Sequence, residues 1–500
     1  MPPANPGERL YADWILEPRT LDLTILDSAR SWLADLVTPT VRLGVTGLSR
    51  AGKTIFITAL VRNLVTGGRM PFFAAQSEGR ILRAYLEPQP DDDVPRFAYE
   101  DHLEALARDP PEWPDSTRRV SQLRVTIEYE SASVLKRSFG IERLHVDIVD
   151  YPGEWLVDLP MLAESFADWS RKALSQARDP RRADAAEPLL AMLPTLRPEA
   201  PQDEALAQQG TAVFTEYLRR VRRAEKAPAV EGPGRFLMPG DLEGSPLLTF
   251  LPLDLEAGVT PARGSLGTMM ERRFEAYKSR VVQPFFRDHF ARLDRQIVLV
   301  DALSAIDQGA AAVADLETGL AEILACFKPG ASPWLSAVMP HRIDRILLAA
   351  TKADHLHHDS HDRLEAILAG LTRRAGDRAR FAGAQVKALA LASLRSTREA
   401  EIEREGERLA CIVGVPLPGE RIGQTVFDGL RSTAVFPGDL PEDIDAVRHA
   451  RPADPAEPDV RVLRFRPHRI APDDPTGRPA PWPHVRLDRA LQFLLGDYLE

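Results

Sequence analysis

The sequence predicts an α/β fold built around a mainly parallel β-sheet. Three apolar stretches of strand length support this prediction, at residues 41–45, 144–149 and 346–350. The first leads through a glycine-rich loop into apolar residues at helical spacing, and the other two are apolar runs that end in polar residues. Strands that alternate with helices along a chain build such sheets. A fourth stretch, residues 120–129, predicts a strand that pairs antiparallel with residues 144–149 and forms an antiparallel edge.

The overall composition indicates a soluble protein of several domains. The chain has 500 residues, of which 44% are hydrophobic and 27% charged, and this length exceeds what one core usually organises. Two cysteines, Cys326 and Cys411, provide no disulfide framework and favour a reducing cytoplasm. The formal net charge of −10 disfavours nucleic-acid binding. No secretory leader and no apolar run of membrane-spanning length occur, so we expect no integral membrane segment.

The glycine-rich loop at residues 47–54 reads GLSRAGKT and matches the phosphate-binding pattern G-x-x-x-x-G-K-[ST]. In this pattern the loop N–H groups and the positive end of the following helix face phosphate oxygens. The Lys53 ammonium would contact the β and γ phosphates, and the Thr54 hydroxyl would bind Mg²⁺. The predicted phosphate site comprises Gly47, Ser49, Arg50, Ala51, Gly52, Lys53 and Thr54.

The strand at residues 346–350 is followed by TKAD, which resembles the [NT]-K-x-D base-reading motif of GTPases. The Asp354 carboxylate can accept hydrogen bonds from the N1–H and the N2 amino group of guanine, whereas adenine would leave it unpaired. Lys352 would lie along the base with its alkyl stem. A loop after the next predicted strand, residues 386–391, would close over the base with backbone amides. The predicted guanine-binding residues are Thr351, Lys352, Asp354, Ser393 and Leu394.

The strand at residues 144–149 ends in Asp150-Tyr-Pro-Gly, a D-x-x-G motif. Its carboxylate would face the metal, and the Gly153 N–H would sense the γ-phosphate and move away after hydrolysis. Glu154 follows, where many small GTPases carry the glutamine that orients the attacking water. A carboxylate there could position water but adds negative charge, which predicts slow turnover. Arg50 is a candidate for the neutralising cation, so the predicted catalytic residues are Lys53, Glu154 and Arg50.

Between the glycine loop and Asp150 we expect a segment whose threonine completes the Mg²⁺ shell in the GTP state. The best candidate is WPDSTRR at residues 113–119, where Thr117 or Ser116 lies just before a predicted strand. A turn or helix-cap hydroxyl is the alternative interpretation. The predicted Mg²⁺ ligands are therefore Thr54, Thr117 and Asp150.

These motifs, in this order, resemble the YcjX-like family of bacterial P-loop GTPases. The resemblance rests on GLSRAGKT, WPDSTRR, DYPGEW, TKAD and ALASLRST and spans nearly the whole chain. It implies a P-loop NTPase domain of the GTPase type that binds GTP and GDP. It also implies a cytoplasmic protein linked to envelope or phage-shock stress, with an inner-membrane protein as its suspected partner and peripheral attachment to that membrane left open.

The spacing of the motifs predicts four segments. Residues 1–154 hold an N-terminal helix and the first half of the GTPase domain, and residues 155–294 a mainly helical insert. Residues 295–405 hold the second half, and residues 406–500 form a small α+β C-terminal extension with strands at 409–415 and 460–468 and a closing helix. Because the insert directly follows D-x-x-G, a γ-phosphate-driven shift of Gly153 would pass into its packing.

The function predicted from the sequence is that of a Mg²⁺-dependent GTP-binding switch with slow hydrolysis. Two alternatives remain open at this point: an ATPase of the same fold, and a GTP-stabilised interaction scaffold with little turnover. A small-molecule kinase is disfavoured, because a kinase has no need for a guanine-reading Asp354.

Overall fold

The structure is a computed structural model, and it describes most of the chain. The described residues are 38–47, 51–114, 119–133, 137, 140–224, 232–255, 261–325, 343–381, 383–404, 406–449, 461–468 and 480–500. Residues Thr40–Glu500 group into one unit. The helix predicted within residues 21–37 lies outside the described residues.

A seven-stranded sheet runs through the described part of the chain. Its strands are β1 (Thr40–Gly47), β2 (Ile81–Glu87), β3 (Ser121–Tyr129), β4 (Glu142–Asp150), β5 (Arg295–Val300), β6 (Arg345–Ala350) and β7 (Gln385–Ala390). They lie in the order β2-β3-β4-β1-β5-β6-β7. Strands β4, β1, β5, β6 and β7 are parallel, and β2 and β3 form an antiparallel edge. This arrangement confirms the predicted fold class, including the antiparallel pairing of β3 with β4; β2 was not predicted.

The central parallel strands β1, β5 and β6 are buried on both faces along most of their length, which explains their largely apolar sequences. Along β5, Val298 and Val300 point into one core, whereas Ile297 and Leu299 point into the other. The first core joins the sheet to helices from the chain between β4 and β5 and to the helices around β6. The second joins it to the helix after β1 and to the C-terminal helix.

Helices cover both faces of the sheet. The described α-helices are α1 (Lys53–Val65), α2 (Ala74–Ser77), α3 (Tyr99–Ala107), α4 (Phe166–Ala177), α5 (Ala183–Met192), α6 (Glu204–Ala224), α7 (Gly234–Leu237), α8 (Leu266–Tyr277), α9 (Gln283–Asp288), α10 (Ala302–Gln308), α11 (Ala310–Ala325), α12 (His361–Phe381), α13 (Ile444–His449) and α14 (Leu487–Leu495). A 3₁₀ helix spans Gly153–Ala163, and a π-helical turn, Lys278–Val282, joins α8 to α9. None of the described helices combines the length and apolar character needed to span a bilayer.

The chain between β4 and β5 is built from helices α4 to α9. The apolar side chains of α8 and α9 are buried, with Phe274 and Phe285 in the first core. On α6, Phe214, Tyr217 and Val221 are buried in the same core. These contacts attach the helices to the sheet, but the boundaries of the four predicted segments remain predictions.

After β7 the chain forms a second, smaller sheet. Strands β8 (Arg398–Arg404), β9 (Glu407–Gly414) and β12 (Thr433–Val435) pair antiparallel in the order β12-β9-β8, and β10 (Arg421–Ile422) pairs with β11 (Thr425–Val426). The strand predicted at 409–415 is confirmed as β9. The strand predicted at 460–468 is wrong: the described part of it is extended, and only Phe465 forms a bridge, with Pro416. Its side chain instead fills a small core with Ile412, Val435 and Leu463.

Candidate nucleotide site

A cavity of about 360 Å³ opens where β1, β6 and β7 end. Carboxyl ends of parallel strands are where open α/β sheets place their ligand sites. Five parts of the chain line it: the start of α1, the loops after β6 and β7, the helical chain between β4 and β5, the C-terminal segment, and Trp113 and Pro114 before β3. The lining residues from the first two parts include Ala51, Gly52, Lys53, Thr54, Thr351, Lys352, Asp354, Ser393 and Leu394.

One end of the cavity is the N-terminus of α1. Gly52 adopts a left-handed conformation, φ 83°, that a side chain would strain, and its carbonyl accepts the Phe56 N–H at 2.9 Å. The N-cap residue, Gly52, has no side chain to cap this helix, and no acidic residue lies in the first turn. The helix therefore places its first N–H groups and its positive end at the cavity, beside Lys53 and Thr54. This arrangement can bind phosphate.

Gly47 serves the packing of the sheet. It ends β1 opposite Leu299 of β5, and a Cβ on Gly47 would lie 2.9 Å from the Leu299 Cβ. Any larger residue would push the two central strands apart just below the loop. Gly47 is thus required for the close approach of β1 and β5, and it does not line the cavity in the described structure.

The other end of the cavity is built around Asp354, whose carboxylate is buried. The Ser396 N–H and the Ser396 hydroxyl both donate to Asp354 Oδ2 at 2.7 Å, and the Thr397 hydroxyl donates to the Asp354 carbonyl. The Ala353 N–H donates to the Leu391 carbonyl at 3.1 Å, which joins the loops after β6 and β7. The carboxylate is therefore fixed in place and kept acceptor-only, as the reading of a base edge requires.

Lys352 is held in a strained backbone conformation, φ 62°, by contacts around it. Its ammonium pairs with the buried Asp301, which also caps α10 by accepting the Ser304 N–H at 3.2 Å. Burial alone would raise the pKa of Asp301, but the Lys352 ammonium and Ser304 outweigh it and hold that pKa below its usual value. The ion pair fixes the Lys352 stem along the cavity wall.

The DYPGEW segment leaves β4 and is anchored by its aromatic residues. Tyr151 is buried, donates to Gln296 Oε1 at 2.9 Å and packs edge-on against Phe285 at 5.7 Å between ring centroids. Trp155 meets the other side of Phe285 at 5.4 Å. The segment that follows Asp150 is therefore packed directly on α9, the end of the helical chain between β4 and β5.

Glu154 is nine-tenths buried and lines the cavity, yet it is not alone there. Arg222 of α6 donates from Nη2 to Glu154 Oε1 at 2.7 Å, and Arg222 also lines the cavity. The guanidinium neutralises the negative charge that Glu154 would otherwise bring to the cavity. The neutralising cation that the described structure provides thus comes from α6, whereas the predicted candidate, Arg50, lies outside the described residues.

The structure brings together most, but not all, of the predicted site residues. Those that line the cavity are Ala51, Gly52, Lys53, Thr54, Glu154, Thr351, Lys352, Asp354, Ser393 and Leu394. Three predicted residues, Gly47, Asp150 and Gly153, lie at the strand ends beneath or beside it and are not among the lining residues. Ser49, Arg50 and Thr117 lie outside the described residues.

The oxygen donors at this edge of the sheet suit Mg²⁺. Asp150 ends β4 directly beside Val45 of β1, at the sheet edge from which the glycine loop departs, and it is buried. Thr54 lies in the first turn of α1 and lines the cavity. A hydroxyl and a carboxylate are oxygen ligands of the kind Mg²⁺ accepts, and Mg²⁺ commonly takes only one or two protein ligands and completes its shell with water and phosphate.

The sequence reasoning missed several residues at this site. Ser396 braces Asp354 and was readable as the second serine of ALASLRST. Arg222 had no sequence signal, since it lies 68 residues from Glu154 on an ordinary amphipathic helix. The C-terminal segment also reaches the cavity. The Phe465 carbonyl accepts from Trp113 Nε1 at 2.7 Å, and the Phe465 ring packs edge-on against the His355 ring. A sequence predicted as a strand gave no hint of that role.

The histidines after TKAD stabilise the walls of the cavity. His355 is buried at the cavity, and burial lowers its pKa, so the ring there is neutral. His361 Nε2 lies 2.7 Å from the Ala353 carbonyl, which identifies that nitrogen as the N–H donor. These contacts hold the loop that carries Asp354 on the start of α12.

The fold and the cavity define an α/β protein of the P-loop class, in which the start of α1 and the buried Asp354 line the same cavity. Comparison with known proteins then identifies the particular family. The chain belongs to the YcjX-like family, DUF463, whose family model matches residues 41–499. It is 37% identical over 469 residues to "Ras-like GTPase YcjX" of Escherichia coli (strain K12), covering 92% of this chain and 96% of that protein. It is 32% identical over 481 residues to "Ras-like GTPase YcjX" of Shewanella oneidensis, covering 92% and 95%.

Proposed function

We propose that this protein is a Mg²⁺-dependent GTPase that binds GTP and GDP, hydrolyses GTP slowly and acts as a conformational switch. The observation that carries the proposal is one cavity with two chemically distinct ends. The N-terminus of α1, with Lys53 and Thr54, lies at one end, and a braced carboxylate, Asp354, lies at the other. The names of two relatives of similar length support the same activity.

At the phosphate end, the chain supplies positive charge and donors. The Lys53 ammonium and the first-turn N–H groups of α1 bind the β and γ phosphates. Thr54 and Asp150 would hold Mg²⁺, which when bound neutralises phosphate charge. Gly153 follows Asp150 closely enough in sequence to sense the γ-phosphate through its N–H. Hydrolysis at such a site depends on positioning and charge neutralisation rather than on covalent chemistry.

At the base end, the chain selects guanine. Asp354 accepts from the guanine N1–H and N2 amino group, and Ser396 keeps its carboxylate in place for this contact. Adenine would leave the buried carboxylate without these donors, which costs several kcal/mol, about 1–3 for an unsatisfied buried group and more for a charged one. The same geometry disfavours the ATPase alternative.

One observation favours the alternative of a GTP-stabilised scaffold with little turnover. Glu154, at the position where many small GTPases carry the water-orienting glutamine, is engaged by Arg222 at 2.7 Å. The carboxylate oxygen that Arg222 engages is not available to orient the attacking water, and water activation by Glu154 would then be slow. The two functions differ in phosphate release, not in nucleotide binding.

The decisive experiment measures binding and turnover together. Labelled GTP is bound in the presence of Mg²⁺ and competed with GDP and with ATP, and phosphate release is then followed over hours. We expect GDP to compete and ATP to fail at about 100-fold excess, with slow release of phosphate. Selective binding without release would favour the scaffold. Equal competition by ATP would contradict the proposed function.

The cellular part of the proposal comes from the family resemblance. The protein would act in the cytoplasm in envelope or phage-shock stress, and an inner-membrane protein would recruit it to the membrane in its GTP state. Cell fractionation tests this: we expect more protein in the membrane fraction when a GTP analogue rather than GDP is added. Equal distribution with both nucleotides would contradict recruitment by the GTP state.

A further inference from the structure

The ion pair between α6 and the DYPGEW segment places a cation in the cavity wall, at Glu154, the residue that directly follows Gly153. Arg222 and Glu154 both line this cavity, as do Lys53 and Thr54 at the start of α1. The Arg222 side chain is 27% exposed and the Glu154 side chain 10%, so the pair lies at the cavity wall and not in open solvent. A guanidinium has five N–H donors, so it can hold a carboxylate and contact a phosphate at the same time.

Packing of α6 determines which of its arginines faces the cavity. Phe214, Tyr217, Leu218 and Val221 are buried against the first core and fix the rotation of the helix. The next residue, Arg222, is thereby directed to Glu154. Its neighbour Arg223 is 69% exposed and pairs with Glu216 on the same helix at 3.1 Å. The helix therefore contains a matched arginine that does not line the cavity.

The backbone of Glu154 is fixed from the opposite side by α7. A Cβ added to Gly234 would lie 1.9 Å from the Glu154 carbonyl oxygen, so α7 packs directly on this peptide. The Gly234 N–H donates to Asp158 Oδ1 at 2.6 Å, and the Tyr277 hydroxyl donates to Asp158 Oδ2 at 2.6 Å. Residues 154–158 are thus held by α6, α7 and α8 together, and Arg222 and Glu154 have a defined relative position.

We propose that Arg222, supplied by the helical segment between β4 and β5, is a catalytic residue for GTP hydrolysis and that Glu154 is its positioning residue. This inference rests on the proposed function. In hydrolysis, a water oxygen bonds to the γ-phosphorus as the bond to the β–γ bridging oxygen breaks. The water proton passes to phosphate, and GDP and inorganic phosphate leave. Negative charge grows on the bridging and γ oxygens, and the Arg222 guanidinium neutralises it.

The simpler alternative is that Arg222 only neutralises the buried charge of Glu154. Both interpretations predict that Arg222→Ala harms the protein, so loss of activity alone does not separate them. They differ when the charge on Glu154 is removed. In a Glu154→Gln background, a merely structural Arg222 becomes dispensable, whereas a catalytic Arg222 is still required.

The experiment is single-turnover hydrolysis of pre-bound GTP by the full chain. We expect R222A to slow it about 100-fold or more, because arginine supplied to GTPase sites is worth about 10³–10⁵ in kcat. The dissociation constant for GDP should change less than about threefold, since the contact forms mainly in the transition state. R223A, the matched control, should hydrolyse GTP at the rate of the unsubstituted chain. In the E154Q background, R222A should slow hydrolysis relative to E154Q alone by about the same factor as it does in the unsubstituted chain.

Binding of GDP with aluminium fluoride, which imitates the transferring phosphoryl group, provides a readout that does not depend on turnover. The unsubstituted chain should bind GDP more tightly with aluminium fluoride than without it, and R222A should lose that difference. Rescue of hydrolysis in the E154Q and R222A double variant, or an unchanged aluminium fluoride effect in R222A, would overturn the proposal. Failure of the unsubstituted chain to bind GTP would instead contradict the proposed function, so the two failures are distinguishable.

Discussion

The two ends of the cavity are built in different ways. The base end is formed mainly by β6 and β7 with the loops that follow them, and its carboxylate, Asp354, is braced by Ser396, which lies 42 residues further along the chain. The phosphate end begins locally at α1 but is completed by α6, where Arg222 meets Glu154 across 68 residues. The base end is therefore a property of the sheet, whereas the phosphate end depends on helices inserted between β4 and β5.

This difference has a mechanistic consequence. We expect the hydrogen bonds from Ser396 and Thr397 to Asp354 to keep the base end constant whichever nucleotide is bound. The phosphate end includes packing contacts between residues 154–158 and three helices, so any movement of Gly153 also moves those contacts. Substitutions at the base end should change selectivity, and substitutions at the phosphate end should change turnover and stability. The following predictions test that division.

The largest effect is expected at the base end, from Asp354→Asn. An amide can donate to the C2 carbonyl of xanthine but opposes the N2 amino group of guanine, so GTP binding should weaken about 10³-fold while xanthosine triphosphate binding improves. Competition binding measures both. Asp359→Asn, whose side chain is 70% exposed and pairs with His357, is the matched control and should leave GTP affinity unchanged. Unchanged guanine preference in D354N would show that Asp354 does not read the base.

Gly234→Ala should give the next largest effect, at the phosphate end. Its Cβ would lie 1.9 Å from the Glu154 carbonyl oxygen and 2.6 Å from the carbonyl carbon, and backbone cannot yield as a side chain can. We expect the free energy of unfolding to fall by about 3 kcal/mol, the upper part of the range for overpacking. Denaturant titration measures it.

The control for that substitution is Gly376→Ala, within α12. Its Cβ would meet nothing closer than Arg380 Nη2 at 3.5 Å. Replacing a glycine in a helix interior by alanine should raise stability by about 1 kcal/mol. If both alanine variants change stability alike, α7 does not hold the Glu154 peptide.

The Asp158 carboxyl, which accepts from Gly234 of α7 and Tyr277 of α8, should make the stability of these contacts depend on pH. Burial raises its pKa to about 6, against the lowering effects of the Tyr277 hydroxyl and the Gly234 N–H. Because the folded pKa lies above the unfolded one, the protonated form stabilises the fold. That contribution is complete below about pH 4 and is lost as the pH rises through about 6.

The difference in unfolding free energy between the unsubstituted chain and Asp158→Asn should therefore fall by about 2 kcal/mol between pH 4.5 and 7.5. Thermal or denaturant unfolding across this range measures the difference. Because the two proteins share all other titratable groups, the contributions of those groups cancel in the difference. Asp168→Asn, a 60% exposed carboxylate on α4, is a suitable second reference. A difference that rises with pH would show that Asp158 is stabilised as the carboxylate instead.

The sequence predicted those parts of the molecule whose signal is local. The glycine loop, β4 with its terminal Asp150 and the TKAD loop each carry their pattern within about a dozen residues, and the parallel order of their strands followed from the alternation of strand and helix. The role of Arg222 could not be predicted, because amphipathic spacing on α6 shows which residues are buried but not what lies opposite the flanking ones. The segment around Phe465 was misassigned because an alternating apolar pattern also suits an extended chain that forms only a single bridge and otherwise packs through its side chains.

The smallest change in GTP affinity is expected at the base end, from substitution of the two serines in the ALASLRST loop. The Ser396 hydroxyl donates to Asp354 Oδ2 at 2.7 Å, and its backbone N–H makes a second bond that alanine preserves. Ser396→Ala should therefore weaken GTP binding only about fivefold, or about 1 kcal/mol, with ATP binding unchanged. Ser393 lines the cavity and was predicted to act through its backbone amide, so Ser393→Ala should change GTP affinity less than about twofold. A larger loss in S393A than in S396A, measured in the same competition assay, would mean that the base is recognised by the Ser393 hydroxyl and that the bracing of Asp354 is incidental.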